Sequence, residues 1–200
     1  MLKKELRTIY KNKREALDSN EIEKRSLNIL ALFTEKFELR NKTISIFLPI
    51  KKAFEINTFH FLKQWQENPS IKVTIPKSDF SNNTLTHHLF SKGEKLELNS
   101  YGIPEPINNK IIDEKQIDIV IVPLFTIDKN GNRVGYGKGF YDRFLNKCKK
   151  NCLFIGINLF EEIEIIDNVN KFDIKLDYCI TPKNILKFPL EKSQQKNKVT

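Results

Sequence analysis

The sequence is short of cysteine, tryptophan, methionine, histidine and glycine, and each shortage closes off a class of protein. Its three cysteines, Cys148, Cys152 and Cys179, are an odd set, so they do not make a disulfide framework. No His or second Cys pair completes a zinc spacing around them, and free thiols in a reducing compartment fit them better. Two of the three histidines are the neighbours His87 and His88, which point to opposite faces in a strand and so do not share a metal. No Ser-His or Cys-His arrangement suggests a covalent nucleophile. No apolar run approaches the roughly 20 residues of a membrane helix. The chain opens Met-Leu-Lys-Lys-Glu-Leu-Arg, without an apolar leader, so a cytoplasmic protein with no membrane partner is expected. There is no internal repeat and no Pro- or Gly-rich linker. A length of 200 residues suits one domain with its own core. The polar, lysine-rich residues 191–200 read as a frayed tail beyond a domain over residues 1–190.

Charge is not scarce. Thirty-four Lys and Arg against 25 Asp and Glu leave a formal net charge of +9. That balance attracts either nucleic acid or small anions. The lysines are scattered and mixed with acids, and no nucleic-acid motif accompanies them, so small anions are the expected partners and nucleic acid is not.

Where glycine does occur it is concentrated. Four of the seven glycines lie in one stretch, Asp128-Lys-Asn-Gly-Asn-Arg-Val-Gly-Tyr-Gly-Lys-Gly-Phe-Tyr-Asp-Arg143. An apolar run over residues 117–123 precedes it and reads as a buried parallel strand. Phe140, Phe144 and Lys147 follow at helical spacing. A glycine-rich loop thus joins a strand to a helix start, where free N–H groups and the helix dipole suit an anion. Arg133 and Lys138 add fixed positive charge, and Asp142, one turn in, offers a carboxylate to a divalent metal. The stretch is neither a Walker A loop nor a dinucleotide fingerprint, because its spacing matches neither. The competing reading is a solvated turn. It accounts for Asn130 to Asn132 but not for three further glycines interleaved with Tyr and Lys ahead of a helix.

The remaining pattern alternates helices and strands. Residues 3–17 read as an amphipathic helix whose basic face, Lys3, Lys4, Arg7, Lys11, Lys13 and Arg14, is an ordinary solvated surface on pattern alone. Asp18-Ser-Asn-Glu21 starts a second helix running to about residue 39. Asn57 caps a third helix. Strands are expected over 43–49, 71–76, 84–90, 117–122, 153–159 and 174–181, and a helix from the glycine loop to about residue 151. The order predicts a single α/β domain, a three-layer, Rossmann-like sandwich with a largely parallel central sheet and helices on both faces.

The glycine stretch closely resembles the signature of the 5-formyltetrahydrofolate cyclo-ligase family, also called 5,10-methenyltetrahydrofolate synthetases, which usually reads D-x-x-G-x-R-L-G-x-G-x-G-Y-Y-D. Here Val134 stands for Leu and Phe140 for the first Tyr. The resemblance is strongest over residues 117–145 and implies an ATP- and Mg²⁺-dependent enzyme that closes 5-formyltetrahydrofolate to 5,10-methenyltetrahydrofolate. It places Lys3, Lys4 and Arg7 on ATP, together with the loop from Arg133 through Val134, Gly135, Tyr136, Gly137, Lys138, Gly139 and Phe140 to Tyr141. It places Leu48, Glu55 and Tyr101 on the folate, with Tyr136 to Phe140 shared between the two ligands. Lys138, Arg133 and Tyr141 are the expected catalytic groups. Asp142 and Asp177 are the expected Mg²⁺ ligands. ATP, 5-formyltetrahydrofolate and its polyglutamylated forms are the implied small-molecule partners of a monomer or weak homodimer. Two other classes stay open on sequence: a non-catalytic ATP-binding regulator of the same fold, and a basic RNA-associated protein.

Overall fold

The structure, a computed structural model, describes residues 1–107 and 110–189. The tail expected at 191–200 lies outside the described residues. The helices are α1 (Lys3–Glu15), α2 (Ser19–Lys36), α3 (Phe59–Trp65) and α4 (Phe140–Leu145). The strands are β1 (Thr43–Ser45), β2 (Lys72–Asp79), β3 (Thr84–Leu89), β4 (Leu96–Leu98), β5 (Pro104–Pro106), β6 (Ile111–Ile112), β7 (Ile119–Pro123), β8 (Thr126–Asp128), β9 (Arg133–Val134), β10 (Leu153–Ile157), β11 (Ile163–Glu164), β12 (Tyr178–Ile180) and β13 (Ile185–Lys187).

The main sheet runs β13-β12-β10-β7-β1-β2-β3-β6. Its middle five strands, β12 to β2, are parallel. The outer three join antiparallel. β7 is apolar at every position because both of its faces are covered. Ile119 and Ile121 pack into a core with Leu6, Tyr10, Phe33, Phe61 and Trp65 from α1, α2 and α3. Val120 and Val122 pack into a second core with Phe144 and Leu145 of α4. The alternation along one strand therefore separates two helical layers, the three-layer arrangement the sequence predicts.

The chain leaves β1 toward β2 on one side and leaves β7 toward β10 on the other. The strand order reverses between β1 and β7, and a crevice opens at their carboxyl ends. The segments entering that crevice are the one after β1, which carries Glu55, and the one after β7, which carries the glycine loop.

Several elements are shorter than their patterns predict. α2 starts as expected, with Asp18 Oδ1 accepting from the Glu21 amide at 2.8 Å, but ends at Lys36 where Phe37 turns extended. α4 stops at Leu145, six residues short of expectation; tight turns follow, with Lys147 N donating to Phe144 O at 2.9 Å and Cys148 N to Leu145 O at 3.2 Å. Position 58, not Asn57, is the cap residue of α3, although Asn57 Oδ1 still accepts from the Phe59 amide at 3.2 Å. The β4–β5 ladder and the β8–β9–β11 sheet were not expected, because ladders of two or three residues carry no readable period.

His87 and His88 are both buried, so the alternation along β3 breaks after the exposed Thr86. The His87 ring stacks on Phe144 at 3.8 Å, and neither of its nitrogens has a hydrogen-bond partner among the described residues. Burial, and then the neighbouring His88, push the imidazole down to about 3. Between that value and the ordinary histidine pKa the unfolded chain binds a proton that the folded chain refuses. Stability from this group is complete above about pH 6.5 and declines as pH falls toward 3. From pH 7 to pH 5 the loss is about 2 kcal/mol. Denaturant titrations at the two pH values check this: His87→Leu should shrink the difference by about that amount, and an unchanged difference assigns the acid sensitivity elsewhere.

Candidate active site

The crevice holds a cavity of about 960 Å³. Its walls come from the start of α1, the segment after β1, the β2–β3 turn, the Tyr101–Pro104 turn, the glycine loop with the first turn of α4, and residues 168–174.

The glycine loop is built by local polar chemistry. Asp128 Oδ1 accepts from the amides of Asn130 at 2.8 Å and Asn132 at 2.9 Å, and its Oδ2 accepts from Asn132 Nδ2 at 2.7 Å, which fixes the first turn. β8 and β9 then pair antiparallel and aim the chain into the cavity. Arg133 donates from Nη1 to Ile174 O at 2.5 Å and from Nη2 to Asp142 Oδ1 at 2.7 Å. It is a buried clamp between the loop, α4 and the 168–174 segment rather than a free cation. Gly135 O accepts from Arg7 Nε at 2.7 Å, so α1 braces the loop from below. Gly139 caps α4 with φ +72°. With six residues, α4 brings only a short dipole. Attraction for an anion therefore rests on the loop amides, on Arg7 and Lys138, and on Lys3, whose charge is shared with Asp173.

Opposite the loop stands Glu55, buried to 6 % exposure. A 3-10 turn over Lys51–Ala53 folds the chain back so that Ile50 N donates to Glu55 Oε2 at 2.7 Å. Tyr136 OH donates to Glu55 Oε1 at 2.6 Å, so the loop touches the far wall. Desolvation pushes the Glu55 carboxyl above the usual range, against the opposing pull of Arg14. Burial and the Glu55 charge push the Tyr136 and Tyr141 hydroxyls well above the ordinary tyrosine range, so both stay protonated donors.

At the cavity mouth Tyr101 stacks on Phe80 at 4.1 Å and 25°, and Phe140 meets Phe80 edge-on at 5.3 Å. Lys138 Nζ sits 5.2 Å from the Tyr101 ring and 5.3 Å from the Phe80 ring, with no carboxylate partner among the described residues. Lys138 is the one exposed cation that the loop itself contributes to this wall. A planar ring and a phosphate chain can thus meet across one lysine.

A family model described as the 5-formyltetrahydrofolate cyclo-ligase family matches residues 1–182. The chain belongs to that family. Among its relatives, a probable 5-formyltetrahydrofolate cyclo-ligase of Schizosaccharomyces pombe is 29 % identical, over 92 % of this chain and 97 % of the relative. The 5-formyltetrahydrofolate cyclo-ligase of Mus musculus is 30 % identical over 73 % of this chain and 74 % of its own. The solution structure of Aquifex aeolicus 5,10-methenyltetrahydrofolate synthetase superposes with a TM-score of 0.76 at 24 % identity, covering 94 % of this chain and 93 % of that one, and so shares the fold.

Of the residues that the resemblance to the cyclo-ligases predicted, all but three line the cavity. Lys4 is exposed and points away, because one residue of helix turns it about 100° from Lys3. Val134 is fully buried in the core with α1, and its carbonyl accepts from Phe125 N at 2.7 Å, so neither is available to ATP. Asp177 is the third correction. It directly precedes β12, at the amino end of a parallel strand, whereas the cavity lies at the carboxyl ends. Its Oδ2 accepts from Phe154 N at 2.7 Å, which pins β12 to β10.

The cyclo-ligase cavity also holds residues that the sequence did not single out. Phe80 is one; an aromatic at the tip of the polar turn Asp79-Phe-Ser-Asn-Asn83 was its signal. Asp173 is another, ion-paired with Lys3. Arg14, read as part of the solvated face of α1, is 3 % exposed. Its Nη2 donates to Leu124 O at 2.6 Å. Helical pattern alone does not separate it from Lys13, which is ion-paired with Glu162 at 2.7 Å on the surface.

Among the described residues no three His, Cys, Asp or Glu side chains gather as a metal cluster. Mg²⁺ takes one or two carboxylates plus phosphate oxygens, so a cluster is not required. Asp142 fits that chemistry: its Oδ1 is held by Arg133 and by Ile174 N at 3.0 Å, while the carboxylate lies on the cavity wall. Asp173, next in chain to Ile174, brings a second carboxylate to the same wall.

Proposed function

We propose that the chain uses ATP and Mg²⁺ to convert 5-formyltetrahydrofolate to 5,10-methenyltetrahydrofolate, releasing ADP and phosphate. The observation that carries this reading is the single cavity in which the cationic glycine loop faces Glu55 and the Phe80–Tyr101 stack. One wall suits a polyphosphate and the other a flat, hydrogen-bonding ring, with Lys138 between them.

A formamide is a poor electrophile, and its oxygen does not leave as hydroxide. Transfer of the γ-phosphoryl group to the formyl oxygen changes the leaving group to phosphate. The N10 nitrogen then attacks the activated carbon and closes the ring, the C–O bond breaks, and phosphate departs with the N10 proton, leaving the methenyl cation. No covalent enzyme intermediate is needed, so positioning and charge carry the catalysis. Arg7, Lys3 and the loop amides cradle the phosphates, and Lys138 neutralises charge growing on the group in transit. Arg133 holds Asp142 in place. Glu55 accepts hydrogen bonds from N–H groups of the pterin, and Tyr141 donates toward the formyl group or N10. Mg²⁺, held by Asp142 with Asp173, would screen the phosphate oxygens from one another.

Mixing protein with 5-formyltetrahydrofolate, ATP and Mg²⁺ should produce the methenyl absorbance band only when all three are present. No band, with ATP still binding by calorimetry, rejects the enzyme reading in favour of a regulator. A second expectation concerns the metal. Asp142→Asn keeps the shape and loses the charge, so the Mg²⁺ concentration for half-maximal rate should rise about tenfold, while Asp177→Asn should leave it unchanged. A Mg²⁺ titration of the two variants decides this, and the reverse ranking returns the metal to Asp177.

A further inference from the structure

Arg14 is an expensive residue to bury. A guanidinium taken out of water costs several kcal/mol unless its charge and its donors are used. Yet Arg14 is 3 % exposed, on a helix whose other cations are exposed or half-buried. Its Nη2 donates to Leu124 O at 2.6 Å, and its plane lies 4.5 Å from the centre of the Phe125 ring. Nε and Nη1 have no hydrogen-bond partner among the described residues. Among the described residues the one carboxylate that Arg14 pairs with is Glu55, Nη1 to Oε1 at 3.9 Å, and both side chains are only 3 % exposed.

Glu55 is in the opposite position. It is buried with two neutral donors, the Ile50 amide and the Tyr136 hydroxyl, and it faces the cavity. The titratable and charged groups that act on it are Arg14 from α1, Tyr136 from the glycine loop and Tyr141 from α4. Both tyrosines are neutral, so Arg14 is the only compensating charge among them. Phe125 links the two sides: it stacks under Arg14 and meets Tyr136 edge-on at 4.9 Å.

We propose that Arg14 is a positioning residue of the active site, which from behind the cavity wall keeps Glu55 ionised and aimed at the folate. This rests on the proposed function for the role of Glu55 but not for the Arg14–Glu55 link itself. Burial already pushes the Glu55 carboxyl up against the pull of Arg14; without the guanidinium that push is unopposed by any charge, the carboxyl takes its proton at higher pH, and an acceptor becomes a donor. N–H groups of the substrate then meet the wrong partner. ATP, bound on the opposite wall, is indifferent to the change.

The test uses the full chain. The Glu55 carboxyl is followed by ¹³C NMR against pH, its resonance assigned by its absence in Glu55→Gln, with no substrate present. Arg14→Gln should move that titration up by at least one pH unit, and Arg14→Lys, which keeps the charge, by less than half as much. Arg14→Met fills the same buried space without polar atoms and carries the test should the glutamine variant not fold. In parallel, Kd for 5-formyltetrahydrofolate should rise tenfold or more in Arg14→Gln at pH 7 and recover at pH 9, with Kd for ATP unchanged. An unmoved Glu55 titration in a folded variant overturns the proposal and leaves Arg14 a packing residue. A shifted titration with unaltered folate binding instead upholds the Arg14–Glu55 link and rejects the folate role of Glu55.

Discussion

Lys138→Ala should lower kcat/KM by two or more decades and leave the fold intact. The reason lies in where this lysine stands. It is exposed at the cavity mouth, between the phosphate wall and the aromatic pair, and it touches Tyr101 and Phe80 only across 5.2 and 5.3 Å. Such a cation–π contact is worth about 0.5–1 kcal/mol at an exposed site. Its loss shifts a melting curve by a few degrees at most. In the proposed reaction the same ammonium meets charge that develops on the transferring phosphoryl group, and removing one preorganised donor of that kind typically costs about 10²–10³ in rate. The separation between a small stability effect and a large kinetic one is the diagnostic. Steady-state kinetics and thermal melts of the same preparation check it. The loss should fall on kcat more than on KM, because the charge develops only in the transition state. Lys138→Arg should recover part of the rate, since it keeps the charge but spreads it over a plane. Near-normal turnover in Lys138→Ala would remove Lys138 from the chemistry and leave it as a cap on the aromatic stack.

How much of this was legible before the structure depends on the length of the pattern involved. The buried strand at Ile119–Pro123 and the amphipathic α1 and α2 each repeat their period several times, so their type and place could be read. The glycine loop could be read because its residues are contiguous and each has a chemical reason to be there. Glu55 and Tyr101 were given a folate role only through the family resemblance. Nothing local marks them: Glu55 reaches the cavity because a 3-10 turn folds it back under Ile50, and Tyr101 is held at its mouth because Phe80, from another hairpin, stacks on it. The choice of Asp177 as the second acid of the proposed metal site has the same origin. Asp173 and Asp177 both precede β12 in the chain, and only the fold shows that Asp173 reaches the cavity wall while Asp177 sits at the amino end of a parallel strand. Arg14 was misread because a helical wheel has no knowledge of the Leu124 carbonyl or of Glu55, which arrive from residues 110 and 41 positions further along the chain. Burial of a cation is a tertiary fact.

Gly137→Ala carries the second large expectation, and it tests the joint between α1 and the loop. Gly137 has φ +92°, a conformation that costs a side-chain-bearing residue about 1–3 kcal/mol. A methyl there would also stand 2.9 Å from Arg7 Cζ and Nη2 and 3.3 Å from Nε. Arg7 is the side chain whose Nε holds Gly135 O at 2.7 Å, so the methyl displaces the brace that fixes the loop carrying it. The two penalties can be told apart. Arg7→Ala removes one cation and one hydrogen bond to the loop and should cost about 10–100-fold in kcat/KM. Gly137→Ala should cost about 100-fold or more, because it strains the loop and expels Arg7 together. In the double variant the space is empty and the brace is already gone, so adding Gly137→Ala to Arg7→Ala should cost only the backbone strain. The pair is therefore expected to be less than multiplicative by at least tenfold, the signature of two residues acting as one unit. A multiplicative result would mean that Arg7 and the loop work independently, and that α1 contributes charge to the cavity without shaping it.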